Sequence, residues 1–251
     1  MILEEFDENR SAVIEPTMIK SPLPDFPQTS IACFSEALFS KTLESLMHRE
    51  AGSVKSANGR VPVYEVEYGG KRFSFFMASV GEPLCVGTYE DIIALGSRRL
   101  ILFGNCGVLD KNIKVGQLLV VDGAIRDEGF SYHYIEPSRY IYTDKKISDK
   151  IADYLEQYKI PYLRGLTWTT DALFRETADK VELRKSEGAK IVEMEQAGCI
   201  AVAQFRGFDY GAIIYGGDDV ASEEWNHRGW NTREGIRYNL VMLCKELVKE
   251  F

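Results

Sequence analysis

The chain has 251 residues, 45% of them hydrophobic and 27% charged, which suits one large globular domain and excludes a disordered, collagen-like or coiled-coil polymer. Acidic residues number 38 against 30 basic ones, for a net charge of −8. Nucleic-acid partners are therefore not expected, because they are held by an excess of Lys and Arg, whereas a small anion needs only two or three well-placed cations.

The N-terminus, Met1-Ile2-Leu3-Glu4-Glu5-Phe6-Asp7, carries acid where a signal peptide needs a basic end and an apolar run. No stretch approaches the roughly 20 apolar residues of a membrane span. Cys33, Cys85, Cys106, Cys199 and Cys244 are odd in number and widely spaced, as reduced core thiols are, and unlike a disulfide framework or a zinc site. A cytoplasmic protein with no membrane partner is expected. Residues 1–30 hold six acids against two bases, and Pro16, Pro22, Pro24 and Pro27 break any regular element there. They predict an extended lead-in, wrapped along the body or a neighbouring subunit, ahead of a single domain over residues 31–251.

From Ile31 onward strands and helices alternate. Val61–Tyr68 alternates faces and turns at Gly69-Gly70 into Arg72–Ser79, which predicts a hairpin. A helix follows over Val86–Leu95 and stops at Gly96. Arg99-Leu-Ile-Leu-Phe103 is continuously apolar after its first residue, as in a strand buried on both faces. Further strands are predicted at Gln117–Val121, Tyr162–Trp168, Lys190–Met194 and Tyr210–Tyr215, and helices at Ile147–Tyr158, Glu195–Arg206 and Thr232–Lys249. The alternation implies an α/β fold around a mixed sheet.

No Gly-rich nucleotide loop or Gly-x-Ser-x-Gly elbow is present, and His48, His133 and His227 lack metal-ligand spacing, so no metal is expected. Three segments carry chemistry. Gly104-Asn105-Cys106-Gly107 follows a buried strand, where glycines form either a tight turn or a place for backbone to approach a ligand. Val192-Glu193-Met194-Glu195 ends another strand, with both carboxylates expected on one face, ready to accept hydrogen bonds from a sugar's adjacent hydroxyls. The alternative is an acidic pair at a helix N-terminus. Ala212-Ile-Ile-Tyr-Gly-Gly-Asp218-Asp219 delivers acid at a strand end, either as a general acid or as a turn aspartate.

Together these segments resemble the nucleoside phosphorylase family, which includes purine nucleoside and uridine phosphorylases and methylthioadenosine nucleosidases. The likeness runs from about Ile31 to Phe251. It is supported by Val115–Val120 leading into Ala124-Ile-Arg-Asp-Glu-Gly129, and by Thr169-Thr-Asp171. The resemblance implies a three-layer α/β/α sandwich around a mixed, partly barrel-like sheet, and cleavage of the N-glycosidic bond of a small-molecule nucleoside. It places Glu193, Met194 and Glu195 at the ribose, with Glu195 favouring an oxocarbenium-like transition state. It makes Asp218 the proton donor to the leaving base and puts Cys106 and Gly107 against base and sugar. It also implies a homo-oligomer, a dimer or a trimer of dimers.

The chain departs from the family at the phosphate. Phosphorolytic members use a Gly-Asp-x-x-Arg loop after the first strand, where this chain reads Ala32-Cys33-Phe34-Ser35-Glu36-Ala37. Leu102 stands where they place an arginine, and Asn105 where they place Ser or Thr. Phosphate is best held by bidentate arginines. Arg60, as a residue donated by a neighbouring subunit, and Arg126 are the candidate replacements, and Glu36 is either a base for water or a solvated helix residue. Phe174, or Leu173 beside it, is the candidate stacking residue, and Arg175 and Glu176 either read a base edge or pair at the surface. Arg126–Tyr134, with His133, is expected to be a loop over the pocket. Phosphorolysis to base and ribose 1-phosphate is the leading expectation, with inorganic phosphate as co-substrate and no cofactor. Hydrolysis by water is the alternative, and a non-catalytic nucleoside-binding or storage protein the second.

Overall fold

Consecutive apolar residues from Leu100 to Phe103 can all be buried only if both faces of their strand are covered. In the computed structural model, which describes residues 2–222 and 224–251, Leu100 and Leu102 face one core cluster and Ile101 and Phe103 another. The side chain of Cys244 lies outside the described set, and Cys33, Cys85, Cys106 and Cys199 are free buried thiols.

Ten strands are β1 Thr29–Cys33, β2 His48–Ser56, β3 Gly59–Tyr68, β4 Lys71–Met77, β5 Arg99–Val108, β6 Leu118–Asp127, β7 Tyr140–Tyr142, β8 Tyr162–Thr170, β9 Ala189–Glu193 and β10 Asp209–Asp219. The α-helices are α1 Pro16–Ile19, α2 Glu36–Glu44, α3 Glu82–Leu95, α4 Lys145–Gln157, α5 Ala178–Ser186, α6 Gln196–Arg206 and α7 Glu234–Leu247. The mixed sheet runs β10-β6-β8-β9-β5-β1-β4-β3-β2, with β7 on β6, and an additional β10–β5 pairing closes β5, β10, β6, β8 and β9 into a ring. Residues of α3 and α6 cover one side of the sheet, and residues of α2, α4 and α7 the other. The result is a sandwich whose central layer is partly a barrel.

Beyond the lead-in, strands β1, β2 and β7 and helices α2 and α5 are not among the predicted elements, and two of them, β2 and α5, are polar. Strand β2, His-Arg-Glu-Ala-Gly-Ser-Val-Lys-Ser, buries only Val54 and has a register irregularity between Glu50 and Gly52, so no apolar alternation marks it. Helix α5 buries only Val181 and Arg184. The lead-in is not free of regular structure: Pro16 occupies the first turn of α1, where its missing N–H is no loss. Glu15 pairs with Arg206 at 2.9 Å, Arg10 donates to the Phe205 carbonyl, and the Leu23 N–H donates to the Leu95 carbonyl at 2.9 Å, so residues 10–23 lie along the body.

Two local expectations are corrected. Gly104–Gly107 is not a turn: β5 continues through Val108, pairing Asn105 with Tyr215 of β10 and Gly107 with Val192 of β9. Glu193 and Glu195 do not share a strand face, because β9 ends at Glu193 and Glu195 is the capping residue of α6. Closure of the barrel explains the first, since β5 must reach past Gly104 to meet β9.

Candidate active site

The C-terminal ends of β5, β9 and β10 open into a cavity of about 710 Å³. Asn105, Cys106 and Gly107 line it from β5, and Glu193, Met194 and Glu195 from the β9–α6 turn. Asp218 lines it from β10, and Leu173, Phe174 and Glu176 come from the segment between β8 and α5. Ten of the candidate residues named from the sequence are thus in one place.

Glu193 anchors the turn. Its Oε1 accepts from the hydroxyls of Thr169 at 2.6 Å and Thr167 at 3.1 Å, and its Oε2 from the backbone N–H groups of Glu195 at 2.6 Å and Gln196 at 2.7 Å. Burial pushes its carboxyl up while these donors pull it down. With four acceptor positions filled, Glu193 holds the backbone and has little capacity left for a ribose hydroxyl, contrary to the ribose contact expected of it. Glu195 has the free capacity: one oxygen accepts from the Gly81 N–H at 2.6 Å, in a residue only 5% exposed. Burial first, and then the charge of Glu193, push its carboxyl up.

The support behind Glu195 went unread in the sequence. Gly198, in the first turn of α6, has no Cβ because one would come within 2.8 Å of the Glu82 carboxyl carbon. Glu82 is wholly buried, accepts from the Gly198 N–H and faces Glu128. Burial, then that neighbour, push its carboxyl up to about 12, so it stays neutral.

Asp218 sits in an irregularity of β10, where one extra residue falls between the pairs Gly216–Cys106 and Asp219–Val108. The bulge turns Asp218 into the cavity. Asp219 accepts from the Ala221 N–H and the Ser222 hydroxyl and forms a two-way backbone bridge with Asn226. That bridge folds the chain back, and the Trp225 indole N–H donates to Asp218 Oδ2 at 2.7 Å. Trp225, His227 and Trp230 line the same cavity, with the His227 ring 5.6 Å from Trp225 and 6.0 Å from Trp230. The aromatic density of Trp225-Asn-His-Arg-Gly-Trp230 was the signal that could have found them. Glu176 is pushed up to about 7, first by burial and then by the charge of Asp218.

The remaining candidates lie elsewhere. Arg126 is buried within its own loop, its guanidinium donating to Ser131 Oγ at 2.7 Å, the Glu136 carbonyl at 2.8 Å and Ser138 Oγ at 2.9 Å, and it lies over the Tyr132 ring. It staples the 126–138 loop, and neither it nor exposed His133 lines the cavity. Arg60 is on the exposed β2–β3 hairpin, paired with Glu50. Glu36 is exposed at the start of α2, and Arg175 is exposed outside the cavity lining. Phe34 takes the place after β1, half-buried, its ring packed against Gly104 so closely that a Cβ there would come within 2.9 Å. Among the described residues lining the cavity there is no Lys or Arg, and there are four carboxyls.

Residues 31–251 match the family described as the phosphorylase superfamily. The chain belongs to that superfamily. It is 24% identical to a purine nucleoside phosphorylase of Plasmodium falciparum over 153 residues, covering 60% of this chain and 62% of that one, so the match spans about three fifths of the relative's length. A DeoD-type purine nucleoside phosphorylase of a Thermoanaerobacter species is 29% identical over 188 residues, covering 72% of this chain and 78% of that one. Among solved structures, the fold is similar to that of purine nucleoside phosphorylase from Toxoplasma gondii in complex with immucillin-H, with a TM-score of 0.75, 17% identity and coverage of 90% and 94%. Uridine phosphorylase from Vibrio fischeri gives a TM-score of 0.73 at 20% identity, with coverage of 92% and 96%. The sandwich and the family expected from the sequence are thus both found.

Proposed function

We propose that this phosphorylase-superfamily chain cleaves the N-glycosidic bond of a nucleoside with water as the nucleophile. The observation that carries the reading is a cavity framed by the Glu193-Met194-Glu195 turn and by Asp218 and Glu176, with no lysine or arginine among its described lining residues. A phosphate carrying close to two charges, placed among four carboxyls and against the Phe34 ring, would lose its hydration without gaining a guanidinium partner.

The chemistry follows from the placement. Met194 packs on the ribose, and Glu195 accepts from its hydroxyls. As the C1′–N bond lengthens, positive charge grows on the sugar and draws the upward-shifted Glu195 into its ionised form, whose carboxylate stabilises the transition state more than the neutral ground state. The electron pair of the breaking bond goes to the base, which needs a proton. Glu176, pushed up to about 7 beside Asp218, keeps a protonated fraction at neutral pH, so the acid role assigned to Asp218 alone is shared by the pair. Water adds at C1′ and loses a proton, which restores the acid that protonated the base, and free ribose is formed.

Phosphorolysis is the second reading, favoured by the phosphorylase activities named for the relatives. It requires a cation from another copy of the chain, and Arg60 is the candidate because it stands on an exposed hairpin. A panel of purine and pyrimidine nucleosides incubated with and without phosphate separates the two. Equal base release in both, with ribose formed, is expected; release only with phosphate, with ribose 1-phosphate formed, overturns the hydrolytic reading.

A further inference from the structure

We propose that the base end of this cavity selects a nucleoside whose base carries a fixed positive charge, a quaternised ring nitrogen, over its neutral counterpart. The inference rests on the reading that the cavity takes a nucleoside, and names the class of base.

The argument starts from charge balance. Glu193 and Glu195 line the cavity from the β9–α6 turn, which the proposed function puts at the sugar, and Asp218 and Glu176 line it as a second acidic pair, which the same reading puts at the base. Two carboxyls near each other in a half-buried site repel, and the proximity is felt in the upward push of Asp218 on Glu176. No lysine or arginine is among the described lining residues, and Arg228, whose charge reaches the lining Cys106, is turned to the Ile113 carbonyl, to which it donates at 2.7 Å. Asp218 spends one oxygen on the Trp225 indole N–H, and its other oxygen stays available.

The walls point the same way. Trp225, Trp230 and Phe174 line the cavity beside the two acids, and Trp225 and Phe174 are 64% and 93% exposed, so their faces are open to a ligand. Aromatic faces attract cations through the ring quadrupole, Trp most strongly, and rings combined with carboxylates are how quaternary nitrogen is recognised. A neutral base would gain the stacking and leave the paired carboxyls uncompensated. A cationic base gains both.

The step balances without a proton donor. The C1′–N bond breaks and its electron pair goes to the ring nitrogen, cancelling the positive charge so that the base leaves neutral. The water oxygen forms the new bond to C1′ and releases its proton to solvent. Nothing is oxidised or reduced, and no proton is needed from Glu176, so Asp218, joined by Glu176 once the bound cation has displaced its proton, acts as counter-ion.

The test uses probes that cannot be cleaved. Binding of N1-methylnicotinamide, a cation, and of nicotinamide, its neutral isostere, is measured on the full chain by tryptophan fluorescence and by calorimetry across a salt series. The cation is expected to bind at least tenfold more tightly, with the difference shrinking as salt rises. It is also expected to be lost in Glu176→Gln/Asp218→Asn and reduced in Glu176→Gln alone. Equal binding of the two probes, no binding of either, or a preference that survives both variants overturns the proposal. Because neither probe turns over, a failure here is distinct from failure of the hydrolytic reading, which is decided by base release from the nucleoside panel.

Discussion

The backbone N–H of Glu195 donates to Oε2 of Glu193 at 2.6 Å, so the first carboxylate of the Glu-Met-Glu turn holds the second in position. The two acids therefore do different work, and substitution separates them. Glu193→Ala strips four donors of their acceptor in a buried site, and an unsatisfied buried donor costs about 1–3 kcal/mol. Glu193→Ala is expected to lose at least about 3 kcal/mol of stability in urea unfolding. Glu195→Ala leaves a single donor, the Gly81 N–H, without its acceptor, so it is expected to cost less stability than Glu193→Ala while kcat falls about 10²–10³-fold, the loss usual for a preorganised charge-stabilising group.

Glu176 sets an alkaline limb. A general acid must be protonated to act, and Glu176 is pushed up to about 7 by burial and by Asp218. Turnover of a neutral nucleoside is expected to fall as pH rises through about 7. Glu176→Gln removes that limb and lowers kcat by about 10²–10⁴-fold, the range of general acid catalysis. A limb that persists in Glu176→Gln at the same pH assigns it to another group.

How much of this was legible follows the range of the interactions. The Glu193–Glu195 turn and Asp218 were readable because each is a short run at the end of an apolar strand, a local signal. Glu82 was not, because an acid before Pro83 at a helix start looks like any N-terminal helix acid, and only the packing of α3 on α6 buries it. Trp225 was missed because it reaches Asp218 only through the Asp219–Asn226 bridge. Arg126 misled in the opposite sense: a cation near the expected loop looked free for phosphate, yet carbonyl and hydroxyl oxygens of that same loop consume its donors.

Glu82 makes stability fall with rising pH. Its carboxyl titrates near the ordinary 4.5 when unfolded and near 12 when folded, so between those values the folded chain holds a proton that the unfolded chain has lost. Stability then declines by up to about 1.4 kcal/mol per pH unit from this group. Glu82→Gln keeps the size and removes the titration, and its unfolding free energy is expected to depend less steeply on pH between 6 and 9. A slope equal to wild type would show that Glu82 is ionised in the fold.

Restoring the family's arginine at Leu102 should not restore a phosphate site. Leu102 is fully buried, on the sheet face covered by α3 and α6, among Val86, Tyr89 and Ile214. A guanidinium there has no carboxylate partner assigned to it and must displace packed side chains, at a cost of several kcal/mol. Leu102→Arg is therefore expected to lower the unfolding midpoint sharply, with no gain in phosphate affinity by calorimetry. Phe34 is the better position, since it lines the cavity and packs on Gly104 beside Asn105. Phe34→Arg sets a guanidinium in the cavity lining. It is expected to leave the fold intact and to add measurable phosphate binding and phosphate-stimulated base release. If Leu102→Arg instead folds normally and binds phosphate while Phe34→Arg does not, the phosphate side of the cavity lies deeper, beneath β5, and the argument from the Phe34 ring is wrong.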